Sequence, residues 1–279
     1  MGERVLILGL SPAAMALGRA LRRAGSRVTG EDPDPRTLEE AIGSGAVDEI
    51  ASAGAPLDPT LTRIVLGLSF RDLPSALARL SSELSPDALV VDLSPLMLPS
   101  LAAVQAVPGL SQRFVASHPV LEAAVGGEEL GDPLSGATVF IGAPFTPGTA
   151  AASVAEMWRS VGARPEAIAP TLHDALVALT HDLPILAAAA LTRAIRRTGS
   201  LTRALAPGAR SALADATRAA SGPSAPAAEA LALSAPKLLP ALEILEREVR
   251  RLRHSLEEGG DDLRVLLEEA REFRRELVA

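Results

Sequence analysis

Up to about Pro170 the chain alternates short apolar runs with amphipathic helical stretches, and beyond that point the apolar runs stop. The runs are Arg4–Gly9, Arg27–Gly30, Arg63–Leu68, Ala88–Leu93, Phe114–Ser117, Ala137–Ile141 and Arg164–Ile168. Helical spacing falls between them at Pro12–Ala24, Pro35–Gly43, Leu73–Ser82, Ser100–Val107 and Ala150–Val161. Runs such as Val5-Leu-Ile-Leu8 show no polar alternation, as expected of parallel strands covered on both faces. Strands that alternate with helices specify an α/β domain built on a doubly wound, mostly parallel sheet. Asp34 followed by Pro35 marks a helix start, with a side-chain cap and a preset φ.

After Pro170 the reading is all-helical. Thr171–Thr198 reads as one long helix with Thr171 as its cap and Asp174 in its first turn, kinked at Pro184. Helix resumes at Leu201 and is broken at Pro207-Gly208 and again at 221–226. Leu238, Leu242, Leu245, Val249, Leu252 and Leu256 recur at alternating steps of four and three. After Gly259-Gly260 the pattern continues through Leu263, Leu266, Ala270, Phe273 and Leu277. This spacing predicts two helices in an antiparallel hairpin with coiled-coil-like seams. The division is therefore residues 1–170 and 171–279, and the small-residue surface of Ala187–Ala190 suits contact across a two-fold axis in a homodimer.

Composition narrows the function. The chain has no Cys, which excludes a disulfide framework, a thiolate metal site and a cysteine nucleophile. The formal charge of −7 sits entirely in residues 1–170 and argues against nucleic acid as a partner. Five Phe, one Trp and no Tyr leave little for a base-stacking platform. The opening segment has Glu3 and Arg4 where a signal peptide needs a basic stretch, so it reads as a buried strand entering a helix. The most apolar later stretch, Ala175–Leu191, is interrupted by His181, Asp182 and Pro184, so no membrane span and a cytoplasmic location are expected. His173 and His181 are two helical turns apart, too far for one ion, and no metal site is expected. His173 itself reads as a cap or a surface group.

The first strand enters its helix through Gly9-Leu-Ser11-Pro-Ala-Ala14, a variant of the G-x-G-x-x-G turn of Rossmann-type domains. Gly9 makes the tight turn and Ala14 allows helix and strand to approach. Ser11 offers a hydroxyl where a second glycine is usual. Asp32, after the second strand, stands where an acid accepts the ribose hydroxyls of NAD. A plain βαβ unit with no ligand fits the same residues.

At this point the chain resembles the prephenate/arogenate dehydrogenase family. The resemblance runs through Val28-Thr-Gly-Glu-Asp32, Gly45-Ala-Val-Asp48, Val90-Val-Asp92, Ser117-His-Pro119, Leu172-His-Asp174, Thr180-His-Asp-Leu-Pro184 and Asp215-Ala-Thr-Arg218-Ala-Ala-Ser221. It implies a nicotinamide-binding domain followed by a helical dimerisation domain, and NAD-linked oxidative decarboxylation in tyrosine biosynthesis. His118 would be the catalytic histidine, taking the proton of a substrate hydroxyl, with Ser94 as the serine that steadies it. Arg218 would hold a substrate carboxylate by a bidentate pair, and His181 would contact substrate. Gly9, Ser11, Ala14 and Asp32 would hold the cofactor. On the residues alone, His118 also fits a strand-end histidine bonded to backbone, and Arg218 an ion pair with Asp215.

The sequence departs from the family pattern G-S-V-K after the acid of the fifth strand, which here reads Leu93-Ser-Pro-Leu-Met97. The run after His-Pro is Val120-Leu-Glu122, and S-H-L-P-H becomes Thr180-His-Asp-Leu-Pro-Ile185. A non-catalytic relative that binds a nucleotide or small acid, and a dehydrogenase acting on another small carboxylic acid, are the alternative readings. Lysine-dependent hydroxyacid dehydrogenases are disfavoured, because the single lysine, Lys237, lies in the hairpin region.

Overall fold

The computed structural model describes residues 2–121, 132–198, 207–222, 224–260 and 262–278. Chain contacts divide it into two compact units, Met1–Val177 with Pro223–Leu233, and Ala178–Gly222 with Ser234–Ala279.

The first unit carries an eight-stranded sheet in the order β3-β2-β1-β4-β5-β6-β7-β8. The strands are β1 Arg4–Leu8, β2 Arg27–Glu31, β3 Glu49–Ile50, β4 Arg63–Leu66, β5 Leu89–Asp92, β6 Phe114–Pro119, β7 Thr138–Gly142 and β8 Arg164–Ala167. All neighbouring pairs are parallel except β6 with β7, which runs antiparallel. The helices are α1 Pro12–Arg23, α2 Pro35–Gly43, α3 Leu73–Glu83, α4 Met97–Gln105, α5 Gly148–Ser160 and α6 Pro170–Val177.

The pleat sends alternate residues of each strand to opposite faces, and two separate cores result. Val5, Ile7, Val65, Val91 and Val115 pack with Leu17 and Leu21 of α1 and Trp158 of α5. Leu6, Leu8, Ile64, Leu66 and Val90 pack with Leu77 of α3 and Leu101 of α4. This is why the strands read as unbroken apolar runs. The doubly wound, mostly parallel sheet followed by helices is the architecture expected from the alternation. β3 escaped the sequence reading because a two-residue strand has no period.

Helix starts follow local chemistry. Ser11 caps α1 by accepting the Ala14 N–H, and Asp34 accepts the Arg36 N–H at the start of α2. Helix α4 has no side-chain cap of its own, since its cap position is Leu96. It also begins three residues before the expected Ser100.

The second unit contains α7 Leu183–Arg197, α8 Pro207–Thr217, α10 Leu263–Val278 and, from Ser234 on, the 34-residue α9 Ser224–Glu257. Within this unit α7 packs against α8 and against the 3-10 turn Arg218–Ser221. Three sequence expectations are corrected here. The long helix from Thr171 is interrupted not by a simple proline kink but by a π-helical turn, Ala178–Asp182, with Pro184 in the first turn of α7. A π turn absorbs one residue more than an α turn, and Asp182 is one residue more than the S-H-L-P-H pattern has. Thr171 is not the cap, because the helix already begins at Pro170. Pro207 opens a helix rather than breaking one, as suits a residue that has no N–H to donate.

Finally, the 3–4 seam is not closed within one chain. Leu238 is buried, but Leu256, Phe273 and Leu277 are 63%, 59% and 68% exposed. Residues 199–206, including Leu201, lie outside the described residues, as does Glu122. By length and composition Pro170–Arg197 is apolar enough to cross a membrane, with a mean hydropathy of 1.6 in its most apolar window. That stretch nevertheless keeps His173, Asp174 and Asp182 buried.

Candidate functional site

Strands β1, β4, β5 and β6 are mutually parallel neighbours, so their C-terminal ends lie along one edge of the sheet. The strand order reverses direction between β1 and β4, and the crevice at such a point is where α/β sheets bind ligands. Gly9, just past β1, has φ +80°. Gly67, just past β4, faces it. A Cβ on Gly67 would lie 2.3 Å from the Gly9 carbonyl oxygen, 2.7 Å from the Ala14 Cβ and 2.9 Å from the Ser11 hydroxyl. Gly67 thus lies against Gly9 and Ser11 of the first turn and Ala14 of α1, and is a requirement that the sequence reading placed inside a strand.

A cavity of about 310 Å³ opens beside this turn, lined by Gly9, Asp32, Leu68, Asp72 and Arg79 among others. Asp32 does more than face it: one carboxylate oxygen accepts the Leu10 N–H at 2.8 Å and the other the Asp34 N–H at 2.9 Å. The acid therefore braces the glycine turn. Its neighbour Glu31 is neutralised by Arg79, whose guanidinium reaches both carboxylate oxygens at 2.8 and 3.0 Å. Nothing in the spacing of Arg79 announced that role. The structure brings Gly9 and Asp32 to the cavity wall, and Ser11 and Ala14 to the loop contact beneath Gly67.

Further along the same edge, β6 carries His118 opposite Phe140 of β7. His118 Nδ1 lies 3.0 Å from Nε2 of His173 on α6, and His173 Nδ1 lies 2.8 Å from Asp174 Oδ1. His173 is completely buried, its ring edge-on to Phe140 at 5.7 Å between centroids. This corrects its reading as a cap or surface group. The sequence signal was present only as the dipeptide His173-Asp174, whose partner on β6 no helical period can reveal. Asp174 also accepts the Met97 and Leu98 N–H groups at 2.8 and 2.9 Å, so it caps α4 from a distant part of the chain. Met97, where the family pattern has lysine, is buried against Gly142.

Ser94 is buried and donates its hydroxyl to Asp92 Oδ1 at 2.8 Å. The serine expected beside His118 is thus engaged with the acid that ends β5, because a buried carboxylate needs a donor. Burial pushes the Asp92 carboxyl from its ordinary 3.8 up to about 6, and hydrogen bonds from Ser100 and Ser94 oppose the rise. A carboxyl whose folded-state pKa is raised holds its proton more tightly in the fold. Its contribution to stability is full below about pH 4 and is lost as pH climbs through 6. The gap corresponds to about 3 kcal/mol. Asp92→Asn is therefore expected to raise unfolding free energy at pH 7.5 by about 1–3 kcal/mol and to leave it unchanged at pH 4. Denaturant titrations at the two pH values check this, and an equal effect at both would contradict it.

The remaining two candidates belong to the second unit. His181, on the π turn, is 64% exposed, and its Nδ1 lies 3.1 Å from the Asp182 carboxylate. Arg218 opens the 3-10 turn, 53% exposed, and is paired with Asp215, the ion pair that the sequence left open. Among the described residues no cluster of three or more metal-ligating side chains occurs.

Residues 17–167 match the family model of the prephenate dehydrogenase nucleotide-binding domain, and residues 169–269 that of the prephenate dehydrogenase dimerization domain. The chain belongs to the prephenate dehydrogenase family. Solved structures agree on the fold. A prephenate dehydrogenase from Aquifex aeolicus, solved in complex with hydroxyphenyl propionate and NAD+, superposes with a TM-score of 0.86 at 24% identity, covering 99% of this chain and 98% of that one. An arogenate dehydrogenase from Synechocystis gives a TM-score of 0.77 at 22% identity, with 98% and 99% covered. A search of curated proteins found no match. The Gly9–Gly67 contact and the Asp32 cavity lie at one end of that sheet edge, and His118 stands further along it.

Proposed function

We propose that this chain is an NAD-linked dehydrogenase that oxidatively decarboxylates prephenate or arogenate, with His118 as the proton acceptor. The observation that carries the reading is the chain of contacts from buried Asp174 and His173 to half-buried His118, on the same sheet edge as the glycine turn. A general base needs a ring held in one orientation with a nitrogen available to substrate. The loop contact without side-chain bulk at Gly9 and Gly67, and the cavity beside Asp32, fit a dinucleotide. When bound, NAD supplies the hydride acceptor. Asp32 would accept hydroxyls of its ribose, and Gly9, Ser11 and Ala14 would form the turn that receives its pyrophosphate. His118 takes the proton of the substrate hydroxyl as that carbon becomes a carbonyl. By the family resemblance Arg218 and His181, both of the second unit, are the expected substrate contacts, whereas Ser94 is engaged with Asp92.

Asp32 favours NAD over NADP, since a carboxylate repels a 2′-phosphate. Calorimetric titration of the two nucleotides is expected to show tighter NAD binding, and Asp32→Ala to narrow the difference. Tight NADP binding with no NAD binding would contradict the assignment.

The reading includes a homodimer. The exposed apolar positions Leu256, Phe273 and Leu277 continue a seam that starts buried at Leu238, and a surface of this kind marks an association site. Light scattering at low micromolar concentration is expected to give twice the chain mass of 28.8 kDa. A mass near 28.8 kDa would overturn it. The reaction itself is tested by adding prephenate or arogenate to the protein with NAD+ and following NADH. NAD+ binding without NADH would favour the non-catalytic alternative.

A further inference from the structure

We infer that His173 and Asp174 are positioning residues that fix the tautomer of His118 and thereby aim its lone pair; the inference rests on the reading of His118 as proton acceptor. The argument starts at the carboxylate. Asp174 receives two backbone N–H groups, Met97 at Oδ1 and Leu98 at Oδ2, at the N-terminus of a nine-residue helix whose dipole favours negative charge. An ionised carboxylate only accepts hydrogen bonds. The His173 Nδ1 at 2.8 Å from Oδ1 must therefore be the donor. A neutral imidazole has one N–H, so His173 Nε2 is an acceptor. The His118 Nδ1 at 3.0 Å from it must then donate. With the proton on Nδ1, a neutral His118 ring carries none on Nε2.

Direction thus passes from a helix terminus through two rings to the base, and each step leaves one arrangement. An imidazole in water favours the opposite tautomer, with the proton on Nε2, which cannot take a proton from substrate. Complete burial of His173 and its packing on Phe140 hold the relay ring in place. Neither residue touches substrate in this scheme.

The test uses the whole protein, labelled with ¹⁵N, whose four histidines can be assigned by single replacements. At alkaline pH, where the rings are neutral, two-bond ¹⁵N–¹H correlation spectra are expected to show both His118 and His173 with the proton on Nδ1. In His173→Leu the His118 proton is expected to move to Nε2, with kcat lowered ~10–100-fold, a part of the effect of losing the base, and KM within about threefold. His173→Gln keeps an acceptor oxygen for the His118 N–H, and is expected to restore the Nδ1 tautomer and most of kcat. A role confined to packing would change thermal stability without moving the tautomer. A proton on Nε2 of His118 in the wild type overturns the inference, as does a His173→Leu protein with unchanged tautomer and kcat. Should that variant not fold, the wild-type and His173→Gln spectra decide. The spectra also separate this inference from the proposed reaction: a wild type that makes no NADH defeats the reaction, while the tautomers are read independently of turnover.

Discussion

His118→Asn is expected to turn over its substrate ~10²–10⁴-fold more slowly, the range for removing a general acid–base group. The substitution is chosen for what it keeps. An asparagine amide reaches about as far as the Nδ1 side of the ring, so a donor can remain near His173 Nε2, now 3.0 Å from His118 Nδ1. The buried His173–Asp174 pair and the capped start of α4 are then undisturbed. What disappears is the nitrogen on the far side of the ring. Because that nitrogen acts on the developing carbonyl, the loss falls on kcat and little on KM. Steady-state NADH formation measures both. A His118→Asn enzyme with unchanged kcat would remove the histidine from the mechanism.

Gly67→Ala is expected to weaken NAD binding ~5–150-fold. The added Cβ would lie 2.3 Å from the Gly9 carbonyl oxygen, a backbone atom, and 2.7 Å from the Ala14 Cβ. Rotamer changes cannot relieve this, so the two loops must separate. Overpacking of this kind costs about 1–3 kcal/mol. If binding requires the loops to close again, the same energy appears as the stated loss of affinity. Gly43→Ala, at the end of α2 with no atom within 4 Å of the new methyl, is the matching control and should bind as the wild type does. Calorimetry on both variants makes the comparison. Equal affinity in Gly67→Ala would show that the loop contact is no part of the nucleotide site.

The legible part of the fold was the part with a period. Val5 to Leu8 and Ile64 to Leu66 are buried on both faces and therefore read as strands without any structure. Asp34-Pro35 marked the start of α2 because a cap and a preset φ are local chemistry. Asp32 was legible from its distance to the glycine turn, but its bond to the Leu10 N–H was not, since only the folded loop brings them together. His173 and Asp174 show the limit more sharply. Their partners, His118 and the start of α4, come from other elements, and the π turn that follows them has no sequence period. The seam from Leu238 to Leu277 was legible as apolar, but spacing does not say which surface covers it, and within one chain its outer residues stay exposed.

The central claim is that a family fold, with Met97 where the pattern has lysine and Ser94 bonded to Asp92, still carries a working base at His118. It is tested most directly by mixing the purified protein with NAD+ and either prephenate or arogenate, and recording NADH and released CO2 together. The account predicts that one of the two acids yields NADH and CO2 in equal amounts. Saturable NAD+ binding with neither product from either acid would contradict it.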